Sequence, residues 1–66
     1  MKITPRENDV ITLVAEGYSD KEIANILHLS SRTVQTHINS IVLKFNARNR
    51  TNAVAIYIKL KYKLIG

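Results

Sequence analysis

Apolar residues recur every three or four positions through this chain, and polar punctuation divides that rhythm into four blocks. The first opens at Thr4-Pro5-Arg6-Glu7, where a capping threonine, a proline at the first helical position and a glutamate three residues after the cap form a capping box. Val10, Ile11, Leu13 and Val14 supply its apolar face, and Gly17 suits the left-handed residue that ends a helix predicted over 5–16. Ser19-Asp20-Lys21-Glu22 is a second capping box. Ile23, Ala24, Ile26 and Leu27 predict a short helix over 20–27 behind it, and His28-Leu29 breaks into a turn. Ser30 caps a third helix over 31–45, striped by Val34, Ile38, Ile41, Val42 and Phe45, with Asn46 able to turn left-handed past its end. Asn49 caps a fourth over 50–62, where Lys59, Lys61 and Lys63 complement the carbonyl end of the helix dipole. No segment alternates with strand period between hairpin turns, so the chain reads as a single all-α domain, residues 1–66.

Two short helices joined by a three-residue turn make residues 19–38 a helix-turn-helix unit, whose second helix can enter the major groove of DNA. With residues about 100° apart, the side of the third helix opposite its apolar stripe gathers Arg32, Gln35, Thr36 and Asn39, with Leu43 one turn further on. Glutamine and asparagine pair bidentately with adenine, arginine pairs with guanine, and a threonine methyl touches that of thymine. A polar helix face in isolation is merely solvated; behind a helix-turn-helix, with no acid nearby, it reads as a base-reading face. Helix starts also offer unpaired N–H groups to anions, so Ser19, Ser30 and Thr33, with the Lys21 side chain, are candidate phosphate contacts beside their capping roles.

Charge supports a polyanionic partner. All five acidic residues (Glu7, Asp9, Glu16, Asp20 and Glu22) lie in the first 22 positions, which carry −2, whereas the remaining 44 carry +7. Sixty-six residues bury only about 60% of the unfolded chain's surface, so the core is marginal and a staple is expected. With no cysteine, disulfides and thiolate zinc sites are excluded. His28 and His37, nine apart without a carboxylate in ligand spacing, do not make a metal site. His37 reads as a packed histidine at the edge of the apolar stripe, and His28 as an exposed turn residue. A second copy of the chain remains as the staple. The fourth helix supports it: Ala53, Ile56, Tyr57 and Leu60 form a stripe that closes the core, and Thr51, Val54, Ala55, Ile58 and Tyr62 a second, opposite stripe suited to a two-fold contact.

No run approaches the roughly 18 apolar residues of a membrane span, and MKITPREN lacks a secretory apolar region, so a cytoplasmic, nucleoid-associated protein is expected. An enzyme is not: there is no cysteine, no glycine-rich phosphate loop and no nucleophile with a base in reach, while Glu7 and Glu22 are explained by their capping boxes. No cofactor and no small-molecule ligand are called for. A protein-interaction module meeting a larger regulator or RNA polymerase through the basic face is the alternative to DNA binding. A membrane-surface helix at IYIKLKYKLIG is disfavoured because its lysines alternate with apolar residues, the wrong period for one apolar helix face.

The chain resembles the DNA-binding domain of the LuxR (GerE-like, NarL/FixJ-type) family of bacterial transcription regulators, from about Ile3 to Ile65. The matching residues are Thr4-Pro5-Arg6-Glu7, Glu16-Gly17-Tyr18-Ser19, Lys21-Glu22-Ile23-Ala24, Ser30, Thr33-Val34, His37, Ile41, Lys44, Asn49-Arg50-Thr51 and Ala53. The resemblance implies four helices, with the second and third as the DNA-binding unit and pairing on DNA as a homodimer. It implies base reading at Gln35, Thr36 and Asn39, and phosphate-contacting or motif-supporting roles for Lys21, Thr33, Lys44 and Arg50. Family members usually carry a receiver or ligand-binding domain ahead of this one. The chain departs from the pattern at Gln35, where lysine or arginine is usual, and at Phe45-Asn46-Ala47, which replaces leucine-glycine-valine. The first exchange removes a charge from the reading face; the second alters packing but keeps a residue suited to a left-handed cap.

Overall fold

The computed structural model describes residues 2–63, so Met1 and residues 64–66, the ends of the expected 1–66 domain and of the resemblance, lie outside it. Four helices occupy the described residues: α1 (Pro5–Ala15), α2 (Asp20–Leu27), α3 (Ser31–Lys44) and α4 (Arg50–Lys61). Each lies within a residue of its predicted bounds, and no strand occurs among the described residues. Both capping boxes form: the Thr4 hydroxyl accepts from Glu7 N–H while Thr4 N–H donates to the Glu7 carboxylate, and Ser19 and Glu22 do the same. Ser30 and Asn49 cap α3 and α4 through the N–H groups of Thr33 and Asn52.

Three helices end on one device. After α1, Gly17 has φ +98°, and Tyr18 N–H reaches back to the Leu13 carbonyl. After α2, His28 (φ 59°) lets Leu29 N–H reach Ala24; after α3, Asn46 (φ 53°) lets Ala47 N–H reach Val42. Left-handed residues at these points satisfy the carbonyls left over at a helix end. Gly17 and Asn46 act as the sequence suggests. The left-handed histidine is not signalled by residue type.

Two adjoining clusters form the core. Val10, Ile23, Ala24, Val34 and Ile38 bind α1, α2 and α3 together, with Leu13, Val14, Leu27, Leu29 and Val42 packed around them. Ile11, Ile41 and Ala53 join α1, α3 and α4, edged by Ile3, Val42, Phe45, Ala47, Val54 and Tyr57. Neighbours Val10 and Ile11 serve different clusters, so α1, like α3, contributes buried residues to both halves of the core. Each fully buried Val or Ile contributes about 1.5–3 kcal/mol relative to exposure.

Three apolar positions depart from their predicted places. Ile26 on α2 and Leu60 on α4 are exposed, Leu60 to 57%. Leu60 instead edges a groove of about 610 Å³ that includes Ile3, Phe45 and Tyr57. Val54, placed by periodicity on the outward stripe, packs against the Ile11–Ile41–Ala53 cluster. The core reaches one flank of α4, taking in Val54 and leaving Leu60 beyond its edge.

Candidate nucleic-acid interface

Packing decides which side of α3 remains available. Val34, Ile38 and Ile41 are buried against α1, α2 and α4, which uses up one side of the helix. Arg32, Gln35, Thr36 and Asn39 are all exposed on the other side, as predicted. The Thr36 hydroxyl donates to the Arg32 carbonyl at 3.0 Å, leaving its methyl as the group free to meet a base edge. No acidic side chain belongs to α3, so nothing on this helix opposes a phosphate-lined groove.

The helix starts beside this face are open to different extents. Ser19 Oγ accepts from Glu22 N–H and Ser19 N–H donates to the Glu22 carboxylate, so its backbone donor is taken up by the capping box while its hydroxyl keeps a proton to donate. At the start of α3, Ser30 Oγ accepts from Thr33 N–H, and the two hydroxyls lie 2.9 Å apart in a mutual hydrogen bond. The N–H groups of Ser31 and Arg32 precede the first intrahelical bond, made by Val34 N–H, and are the donors α3 offers to an anion. Lys21 and Arg32 are exposed and form no ion pair among the described residues.

Two cations placed among the phosphate contacts are engaged within the protein. Lys44 Nζ donates to Glu7 Oε1 at 2.7 Å, and its side chain is mostly enclosed. The other carboxylate oxygen of Glu7 accepts from Ser40 Oγ at 2.6 Å, and Oε1 also takes Thr4 N–H at 2.8 Å. Glu7 is therefore more than the capping residue the sequence makes of it. At 4% exposed it is the one buried acidic side chain among the described residues, and it ties two successive turns of α3 to the start of α1. Burial pushes this carboxyl up, but hydrogen bonds from Lys44, Ser40 and Thr4, with the charge of Lys44, outweigh it and hold the pKa at about 2.

Arg50, at the start of α4, pairs with Asp20 at the start of α2 at 2.7 Å. Asp20 Oδ1 is enclosed and has no aligned hydrogen bond among the described residues, so the guanidinium meets it chiefly as a charge. The Arg50 side chain stays 41% exposed, which leaves part of the guanidinium to solvent.

These pairings, and the Thr12–Tyr57 hydroxyl contact of 2.8 Å, carry no local sequence signal because the partners lie 30 to 45 residues apart. The one hint is that Ser40 and Lys44 share a face at i, i+4. His37 is half-buried and His28 exposed, both as read from their positions. Among the described residues no three metal-ligating side chains converge, and no helix is long and apolar enough to cross a membrane. The 610 Å³ groove beside Leu60 shares no residue with the α3 face.

A capped helix pair, with the second helix holding the core on one side and a free polar face on the other, defines a helix-turn-helix DNA-binding domain. The chain belongs to the luxR family of bacterial regulatory proteins, whose family model matches residues 1–57. That family is a class of DNA-binding regulators, not of enzymes. The chain is 42% identical over 52 residues to the response regulator protein VraR of Staphylococcus aureus, and equally to VraR of Staphylococcus saprophyticus and Staphylococcus epidermidis. Each match covers 79% of this chain and 25% of the relative, so the chain spans about a quarter of the length of these curated relatives.

Proposed function

We propose that this chain is a sequence-specific, double-stranded DNA-binding transcriptional regulator that lays α3 in the major groove and works as a homodimer in the cytoplasm. The observation that carries the reading is the division of α3 into a buried apolar side and an exposed side bearing Arg32, Gln35, Thr36 and Asn39. In this reading Gln35 and Asn39 pair with base edges, Arg32 contacts guanine and the Thr36 methyl meets thymine. Ser19, Lys21, Ser30, Thr33 and Arg50 flank the groove and contact phosphates, through side chains or through the backbone donors at the two helix starts. Lys44 takes the motif-supporting role instead, because its ammonium group is spent on Glu7. Thr51, Ala55, Ile58 and Tyr62, with the outer edge of Val54, form the dimer contact. The relatives are named response regulators, and we read this chain as similar to the part of such a regulator that contacts DNA.

Selection of bound sequences from random duplex DNA tests this. A two-fold symmetric site is expected, with half-sites about one helical turn apart or a multiple of it. Asn39→Ala should cost roughly 1–3 kcal/mol and relax preference at one base step. Contact with about six phosphates across two subunits gives a log–log salt slope near −5. No enriched sequence and a flat salt response would overturn the proposal.

A further inference from the structure

Leu43 is 76% exposed, more than any other large apolar residue described, and it stands on the outward side of the helix proposed to read DNA. At about 100° per residue, Gln35, Asn39, Arg32, Leu43 and Thr36 fall in that order within about 100° of arc. The arc has two edges. Gln35 and Asn39 form one of amides; Thr36 and Leu43, seven residues apart and nearly aligned, form one whose free groups are methyls. The Thr36 hydroxyl is bonded back to Arg32, so this second edge presents no free donor. A leucine there makes no hydrogen bond to a base. In the major groove the apolar group available to it is the thymine 5-methyl.

We infer that Leu43 is a further specificity-determining residue, contacting the 5-methyl of a second thymine in each half-site. The inference rests on the DNA-binding reading above and extends its reading face toward the C-terminal end of α3. Leu43 lies about 10 Å along the helix axis from Thr36, which corresponds to two or three base steps in a groove followed obliquely. The backbone there is held in place: Ser40 and Lys44, on either side of Leu43 in sequence, are both bonded to Glu7, so this turn of α3 is anchored to α1. Leu43 therefore projects from a fixed turn.

The test uses the duplex selected by the protein, with each thymine in turn replaced by deoxyuridine, and compares the wild-type chain with Leu43→Ala. Removing one methyl should weaken wild-type binding about fourfold at a position two or three steps from the thymine met by Thr36, matching ~0.8 kcal/mol per methyl. Leu43→Ala should be indifferent to that one replacement and still sense the other thymines. Circular dichroism should give it an unchanged fold, since the side chain is largely in solvent. Site-specific binding in which no thymine-to-deoxyuridine effect depends on residue 43 overturns this inference alone. A uniform loss on all duplexes in Leu43→Ala also overturns it, as a general contact. Absence of any site-specific binding by the wild type overturns the DNA-binding reading and this inference with it.

Discussion

Glu7 gathers an ammonium, a hydroxyl and a backbone N–H onto one carboxylate, and through it α3 is fastened to α1. A carboxyl held at about 2 in the folded protein, against an ordinary value of 4.5, favours the folded state whenever it is ionised. That contribution is complete above pH about 4.5 and is lost as pH falls through about 2. Glu7→Gln should therefore melt earlier at pH 7, by about 1.5–3 kcal/mol, because a charge-assisted bond is lost and Lys44 keeps no acid partner. The gap between variant and wild type should narrow steadily from pH 4.5 to pH 2 in thermal melts. A constant gap across that window would mean the carboxylate is not bonded as described. Lys44 and Arg50 carry the same lesson, since the positive charge of a residue says nothing of which anion it serves.

At the scale of elements, the turns do as much as the stripes. The α1–α2 connection depends on Gly17 at φ +98°, and a Cβ built there meets no atom within 4 Å, so a side chain has room but the backbone does not suit it. Gly17→Ala should cost about 1–2 kcal/mol from conformation alone. His28 is the reverse case, a side chain already paying for φ 59° inside the helix-turn-helix. His28→Gly should stabilise by about 0.5–1 kcal/mol, read by urea denaturation, without altering DNA affinity. Stabilisation by Gly17→Ala, or loss from His28→Gly, would contradict the left-handed geometry at these turns. Helix existence and bounds were legible because caps, proline and period act within four residues. The turn at His28-Leu29 was legible too, but not that His28 itself would be its left-handed residue, since neither glycine nor asparagine stands there to mark it.

For the molecule as a whole, the outward flank of α4 carries Ile58 at 41% and Tyr62 at 52% exposed, beside exposed Thr51 and Ala55. Val54 contributes to the core, so the surface left for a second copy is narrower than periodicity suggests. A contact this small does not repay the cost of association by itself and should form on DNA, where two half-sites hold the copies together. Sedimentation should find a monomer for the free domain and two copies on a two-half-site duplex. Ile58→Asp should lower affinity for that duplex roughly 100-fold while leaving binding to a single half-site unchanged. A monomer in both states would remove the dimer from the proposed function.

Local order along the chain was sufficient for the four helices, their caps, and which side of α3 faces out, because hydrogen bonding and amphipathic period operate within a turn or two of helix. The same reasoning located the exposed set from Arg32 to Asn39 and both histidines. Only the tertiary structure decided that Lys44 belongs to Glu7, that Arg50 leans on Asp20, that Val54 packs inward and Leu60 does not. Those outcomes follow from how the helices come together, and the two ion pairs join residues 30 and 37 positions apart. No repeat within a single helix encodes them.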